Sequence, residues 1–466
     1  MPTRGFPRFL LITLGALVLF GGVFPAGAVP IFSRKYQTSC QTCHAIFPKL
    51  NPFGQAFRLN GYRMPAEAED EDVVKEKPVS LGADAYKRIW PDAVYPGTIP
   101  GHVPIAVNMK FADVYGSSHD DTGHTIVHND FQFPQEVNLF TAGTLGDIFS
   151  YFGELTYAER PDGGSDVEIE HAQFHVNSPF GPPHLINFKL GKFSPDLADG
   201  FQEMWIMTDN GIDALFAFDP IGQNGGTGFA DPANGVALPA GVKGIEMYGV
   251  ANHRLFYTLG VVNGISPGVT TGKDARAGKD FYARVDYKFG GLGLDGDPAG
   301  AVIPPENWRE TSLRLGLLGY RGDGSKAPFE ITDADGNPLQ IEDRTFTRAG
   351  VFASLYCRDL NVFGVYVRGT DKLRLLDDTT LATLGDFSRD YSSWFVEADY
   401  VIKPPFQVSL RYESLRPGDP QAQTQQFVNA NFSYLVRANV KTMLEYRRDV
   451  HDSLNYALAA VLRVAF

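Results

Sequence analysis

Stretches of about ten residues in which apolar and polar side chains alternate, separated by Gly, Pro, Asp and Asn clusters, recur along most of this 466-residue chain. Alternation at period two sends successive side chains to opposite faces of a strand. In Phe281 to Lys288 one face carries Phe281, Ala283, Val285 and Tyr287, and the other Tyr282, Arg284, Asp286 and Lys288. Val408, Leu410 and Tyr412 oppose Ser409, Arg411 and Glu413 in the same way, and Thr442, Leu444 and Tyr446 oppose Lys441, Met443, Glu445 and Arg447. One such segment fits a soluble antiparallel sheet equally well. A long series of them is the pattern of a transmembrane β-barrel, whose lipid-facing and lumen-facing positions alternate.

The end of the chain carries the same signal. Counting back from Phe466, the residues Val464, Leu462, Ala460, Leu458 and Tyr456 keep every second position apolar or aromatic, which resembles the closing strand of bacterial outer-membrane proteins. After the N-terminal segment no run of 18 or more apolar residues occurs, which argues against a helical membrane protein.

The pattern predicts an all-β, antiparallel transmembrane barrel over 104–466 with strands near 104–116, 130–143, 146–159, 166–178, 184–193, 243–252, 253–264, 279–289, 310–321, 346–357, 360–370, 391–403, 406–416, 426–437, 440–449 and 455–466. That is sixteen strands, and weaker segments at 81–90 and 211–218 would raise the count to 18. Links at 144–145, 358–359, 404–405 and 438–439 are tight, whereas 194–242, 265–278, 322–345 and 371–390 are long, as expected for periplasmic turns alternating with outer loops. The link at 290–309 is an exception: parity assigns it to the short-turn side, yet it is long.

Upstream, residues 1–28 read as a cleaved signal peptide, with Arg4 and Arg8, an apolar core from Phe9 to Phe20, and the small-residue site Ala26-Gly27-Ala28. Cleavage would move the formal charge from −13 to −15 as the two arginines leave. That balance favours cations over anions near the protein and gives no footprint for nucleic acid. Residues 29–65 form a small head, too short to build an ordinary core alone. Residues 66–103, which include the run Glu67, Glu69, Asp70, Glu71 and Asp72, read as an acidic linker and lead-in.

The head holds Cys40-Gln41-Thr42-Cys43-His44. This C-x-x-C-H spacing is that of a covalent c-type haem, with two thiols on the porphyrin edge and an imidazole on the iron. A redox disulfide or half of a zinc site is the alternative, weakened by the adjacent His44 and by the lack of a second cysteine pair. The remaining cysteine, Cys357, lies in an apolar run and is expected to pack. For the iron's other face, Met64 is the head's only methionine, and His171 and His175 share one face of a predicted strand. His119, His124 and His128, with Asp120, Asp121 and Asp130, concentrate three imidazoles and three carboxylates around the first outer loop, a set able to hold a divalent metal transiently.

Pro30-Ile31-Phe32-Ser33-Arg34, Cys40 to His44, Pro48-Lys49-Leu50-Asn51-Pro52-Phe53-Gly54 and Phe57-Arg58-Leu59-Asn60-Gly61-Tyr62 resemble the head of the fused monohaem cytochrome-porins, outer-membrane proteins that include the iron oxidases of iron-oxidising bacteria. Ser33 departs from the alanine of the iron-oxidase pattern and, with Lys35-Tyr36, groups the chain with broader relatives. The resemblance implies one haem c held by Cys40, Cys43 and His44, and a short-helix head inserted in a sixteen-stranded outer-membrane barrel. It further implies electrons passing from an extracellular donor, with Fe(II) as a candidate, to a periplasmic c-type cytochrome or similar carrier. The apolar band of such a barrel is about 25 Å tall, so a haem within the lumen shortens the gap to both sides. Two other functions fit the same residues: a solute porin gated or regulated by its haem head, and a haem enzyme acting on a small oxidant.

Overall fold

The computed structural model describes residues 31–65, 77, 79–80, 88, 98–119, 123–146, 148–159, 164–198, 242–263, 278–323, 329–332, 338–377, 379–416 and 424–466. The signal segment lies outside the described residues, as do the acidic run and, Arg88 apart, the candidate strands 81–90 and 211–218.

Sixteen antiparallel strands close into a barrel. They are β1 (Ile105–His119), β2 (Thr125–Leu145), β3 (Phe149–Glu159), β4 (Ser165–Asn177), β5 (Asn187–Phe193), β6 (Val242–Ala251), β7 (Leu255–Asn263), β8 (Lys279–Gly290), β9 (Glu310–Asp323), β10 (Pro338–Arg358), β11 (Leu360–Asp377), β12 (Thr383–Lys403), β13 (Phe406–Arg416), β14 (Gln425–Arg437), β15 (Val440–Asp449) and β16 (Tyr456–Ala465). Closure is between the last strand and the first, with Val464 opposite Met109. Phe466 exchanges both backbone hydrogen bonds with Val107 at 2.8 and 2.7 Å, so the terminal aromatic is part of the seam.

The strand faces divide as the alternation requires. Asp280, Tyr282, Arg284, Asp286 and Lys288 are buried toward the lumen while Phe281, Val285 and Tyr287 are exposed on the outer face. Ser409, Arg411 and Glu413 are buried and Leu410 is exposed. An outer wall of exposed Leu, Val, Ile and aromatic side chains is stable only against lipid. Inside, charges are paired. Arg411 bridges Glu397 at 3.3 Å and Glu413 at 3.0 Å, Arg284 meets Asp286 at 2.6 Å, and Arg348 meets Asp371 at 2.6 Å. Cys357 is exposed on the outer face, so it does not pack within the protein.

Strands β2, β10 and β12 run to 21 residues and β11 to 18, longer than the alternation predicted. At about 3.3 Å per residue they outreach the apolar band, and near the far ends of β11 and β12 the outer pairs are ionic, Arg368–Asp390 at 3.3 Å and Arg374–Asp386 at 2.9 Å. A short strand, Phe329–Thr332, pairs with β10 in the same region.

The head sits inside the barrel at the short-turn end. Its helices are α1 (Ile31–Tyr36) and α2 (Pro52–Leu59), joined by a 3₁₀ turn at Cys40–Thr42 and a small hairpin of His44–Ile46 with Lys49–Leu50. Lys35 Nζ reaches Thr144 Oγ1 at 2.7 Å, Gln407 Nε2 donates to the Ala45 carbonyl at 2.5 Å, and Arg63 donates to the carbonyls of Gly146 and Phe149 at 2.9 and 3.2 Å. These partners lie at the short-turn ends of β2, β3 and β13. The long 290–309 link is explained by the head it covers: Asn307 Nδ2 donates to the Thr42 carbonyl at 3.0 Å, Leu294 packs with Leu59, and Gly296 lies against Pro65.

Candidate functional site

The C-x-x-C-H turn is held in shape by the segment that follows it. Asn51 caps α2 by accepting from the Gly54 N–H at 2.8 Å, and its own amide donates to the Gln41 and Thr42 carbonyls at 3.2 and 3.1 Å. A Cβ on Gly54 would stand 2.0 Å from the Cys43 carbonyl oxygen, so only glycine lets the helix approach this closely. Further on, Gly61 turns the chain at φ +67°, where a Cβ would also strike Asn177 of β4. The Pro48–Gly54 and Phe57–Tyr62 runs are thus the brackets of the turn.

Cys40 and Cys43 are not joined to each other by a disulfide. Burial pushes the Cys43 thiol up to about 12, with neighbouring Cys40 adding to the effect, and burial also raises Cys40. Thiols held neutral in this way lack the thiolate character of redox C-x-x-C pairs. His44 Nδ1 lies 3.0 Å from the Pro48 carbonyl. An Nδ1–H donated there fixes the ring and leaves the Nε2 lone pair for a metal. Burial lowers His44 to about 4, which keeps the imidazole in its neutral, ligating form.

These three residues line a cavity of about 720 Å³ between head and barrel wall, together with Phe32, Tyr36, Phe57 and Met64. That volume is within the range of cofactor pockets. His171 and His175 line the same cavity, so all the residues proposed for the two faces of an iron converge there. Cys43 and Met64 pack on one cluster of Tyr36, Phe57 and Tyr62. The fit to a haem c is therefore good: two neighbouring thiols and an oriented neutral imidazole beside the rings of Phe32, Tyr36 and Phe57, with charged side chains confined to other parts of the lining.

The distal candidates differ. Both His171 nitrogens have partners, Glu154 Oε2 at 2.8 Å and Ser194 Oγ at 3.1 Å. His175 Nδ1 meets the Tyr248 hydroxyl at 3.2 Å, while its buried Nε2 has no hydrogen-bond partner. A buried ring nitrogen without a partner is costly unless something occupies that position.

The outer histidines are not in a trio of described residues close enough to hold one ion. His119 Nε2 pairs with Asp452 at 2.8 Å, His128 stands opposite Gly116 on β2, and His124 is in the turn. Asp120 and Asp121 lie outside the described residues. Among the described residues the one trio with ligand atoms close enough for a single ion is Glu154, Glu170 and His171 in the lumen, of which the sequence reading had singled out only His171. Two anchors were also missed. Lys49 is buried against Asp399 with its Nζ 2.7 Å from Asn361 Oδ1, and Arg58 makes a two-pronged bridge to Asp196 at 2.7 and 2.9 Å.

No family model and no curated protein matches the sequence. Solved structures similar to it include Salmonella typhi OmpF in complex with daunomycin (10% identity, 78% of this chain and 97% of that one, TM-score 0.48) and Vibrio cholerae outer-membrane OmpT (11%, 80% and 99%, 0.42). A third is a porin refined at 1.8 Å (12% identity, 78% and 99%, TM-score 0.41). With TM-scores below 0.5 they say nothing of what this barrel carries.

Proposed function

We propose that the chain is an outer-membrane electron conduit whose head carries one haem c on Cys40 and Cys43 with His44 as axial ligand. The barrel would hold it between an extracellular donor, with Fe(II) as a candidate, and a periplasmic carrier such as a c-type cytochrome. The observation that carries this reading is that the C-x-x-C-H turn opens onto a cavity inside the barrel, shared with lumen-wall histidines. When bound, the haem supplies a one-electron couple.

The chain's own residues do the rest. Pro48 orients His44, burial keeps that imidazole neutral, and the rings of Phe32, Tyr36, Phe57 and Tyr62 pack together as an apolar side of the cavity. Lys49 and Arg58 fix the head to opposite parts of the wall. Of the distal candidates His175 is favoured, because its Nε2 is buried without a partner. Met64 is the next choice, packed with Cys43 on the same rings.

The test uses liposomes loaded with a periplasmic-type cytochrome and a membrane-impermeant donor outside. A conduit reduces the trapped cytochrome without leaking sugar. Sugar efflux with no reduction would establish the porin reading instead, and CO uptake by the reduced protein would favour a haem enzyme.

A further inference from the structure

The pairing of β3 with β4 slips at one point. Glu154 faces His171 and Leu155 faces Ile169, which leaves Glu170 as an extra residue. Neighbours on a regular strand point to opposite faces. The bulge cancels that alternation and re-aims one side chain. As a result Glu170 and His171, adjacent in sequence, both line the lumen cavity with Glu154.

We propose that Glu154, Glu170 and His171 form a binding site for a divalent first-row transition ion of the Fe(II), Mn(II) or Zn(II) kind on the lumen wall. One ligand atom from each lies within 4.8 Å of the others. Donors bound at 2.0–2.2 Å to one ion stand at most roughly 4.4 Å apart, so a small side-chain rotation closes the set. Two carboxylates with one imidazole suit such ions, whereas an all-oxygen set would suit calcium or magnesium. If the His171 Nε2–H is donated to Ser194 Oγ, 3.1 Å away, Nδ1 turns its lone pair toward Glu154 Oε2, 2.8 Å away. In that tautomer both atoms present lone pairs to an ion bound beside them. Glu168 lies along the same strand but is taken up by Lys192, so it is outside the set.

The site opens on the cavity that Cys40, Cys43 and His44 line. Any service of the bound ion as an electron donor rests on the function proposed above. Binding itself does not.

The test is Co(II) titration of the full-length protein in detergent, followed by visible absorption and equilibrium dialysis. Heat-modifiable gel migration confirms an intact barrel. One cobalt should bind per chain, with affinity falling at least about tenfold in Glu170→Gln and in His171→Ala and holding in Glu168→Gln. Cobalt binding should also persist in Cys40→Ala/Cys43→Ala, so that a failure of the haem reading would leave it standing. Unchanged binding in Glu154→Gln/Glu170→Gln/His171→Ala, an equal loss in Glu168→Gln, or loss in the cysteine variant would overturn the assignment.

Discussion

Replacing Lys49 by methionine tests what holds the head in place. The ammonium is buried, bonded to Asp399 and to Asn361 Oδ1 at 2.7 Å, and lies 4.4 Å from the centre of the Phe363 ring. Methionine keeps much of the stem's volume and leaves the buried Asp399 carboxylate without its cation. Breaking one side of a buried pair costs about 3–5 kcal/mol, whereas removing both charges is often near neutral. At about 1.4 kcal/mol per decade, the single change should lower the head's docking constant by about 10² to 10³·⁵. Lys49→Met/Asp399→Asn should recover most of that loss. The assay is hydrogen exchange of the α1 and α2 amides in nanodiscs, with the β13–β15 amides as an internal control for the barrel. Head protection within about threefold of wild type in Lys49→Met, or a double variant as exposed as the single one, would refute the reasoning.

Three further outcomes are expected. Cys40→Ala/Cys43→Ala should abolish covalent haem staining on denaturing gels while the barrel still inserts and shows heat-modifiable migration, because Phe466 and Val107 close the seam far along the chain from the thiols. Gly54→Ala should lower haem loading without disturbing the barrel, since its Cβ meets the Cys43 carbonyl at 2.0 Å and backbone has to move; staining normalised to folded barrel measures it. In haem-free Cys40→Ala/Cys43→Ala, head docking should be at full strength above about pH 6.5 and weaken as pH falls toward about 4. The sign follows from a folded pKa below the unfolded one, so that acid protonates the unfolded imidazole first. Hydrogen exchange against pH checks this, and His44→Gln should flatten the profile.

The alternation of Phe281 to Lys288 made the barrel legible because lipid and lumen demand opposite chemistry from neighbouring side chains. The same logic hid the outer halves of β10 to β12. Beyond the lipid both faces meet water, so Arg374, Asp386 and Asp390 carry no alternation and read as loop. Cys40, Cys43 and His44 were legible because C-x-x-C-H is a fixed local spacing that matches covalent haem attachment. Glu154 and Glu170 were not, since a bulge is a matter of register between two strands and neither strand alone records it. Asp196 and Asp399 were likewise invisible as anchors, being far along the chain from the Arg58 and Lys49 they hold.

The 290–309 link fixes the side of the barrel from which the head is held. It holds Pro65, the last described residue of the head, at the short-turn mouth, and β1 begins at Ile105 on that same side. Both described ends therefore lie at one mouth of the barrel, as those of a stopper do and those of a thread through a ring do not. A head held at one mouth has the shortest way to its seat through that opening, whether or not it already carries the haem proposed above. It can also be withdrawn by the same route without parting a single strand of the wall.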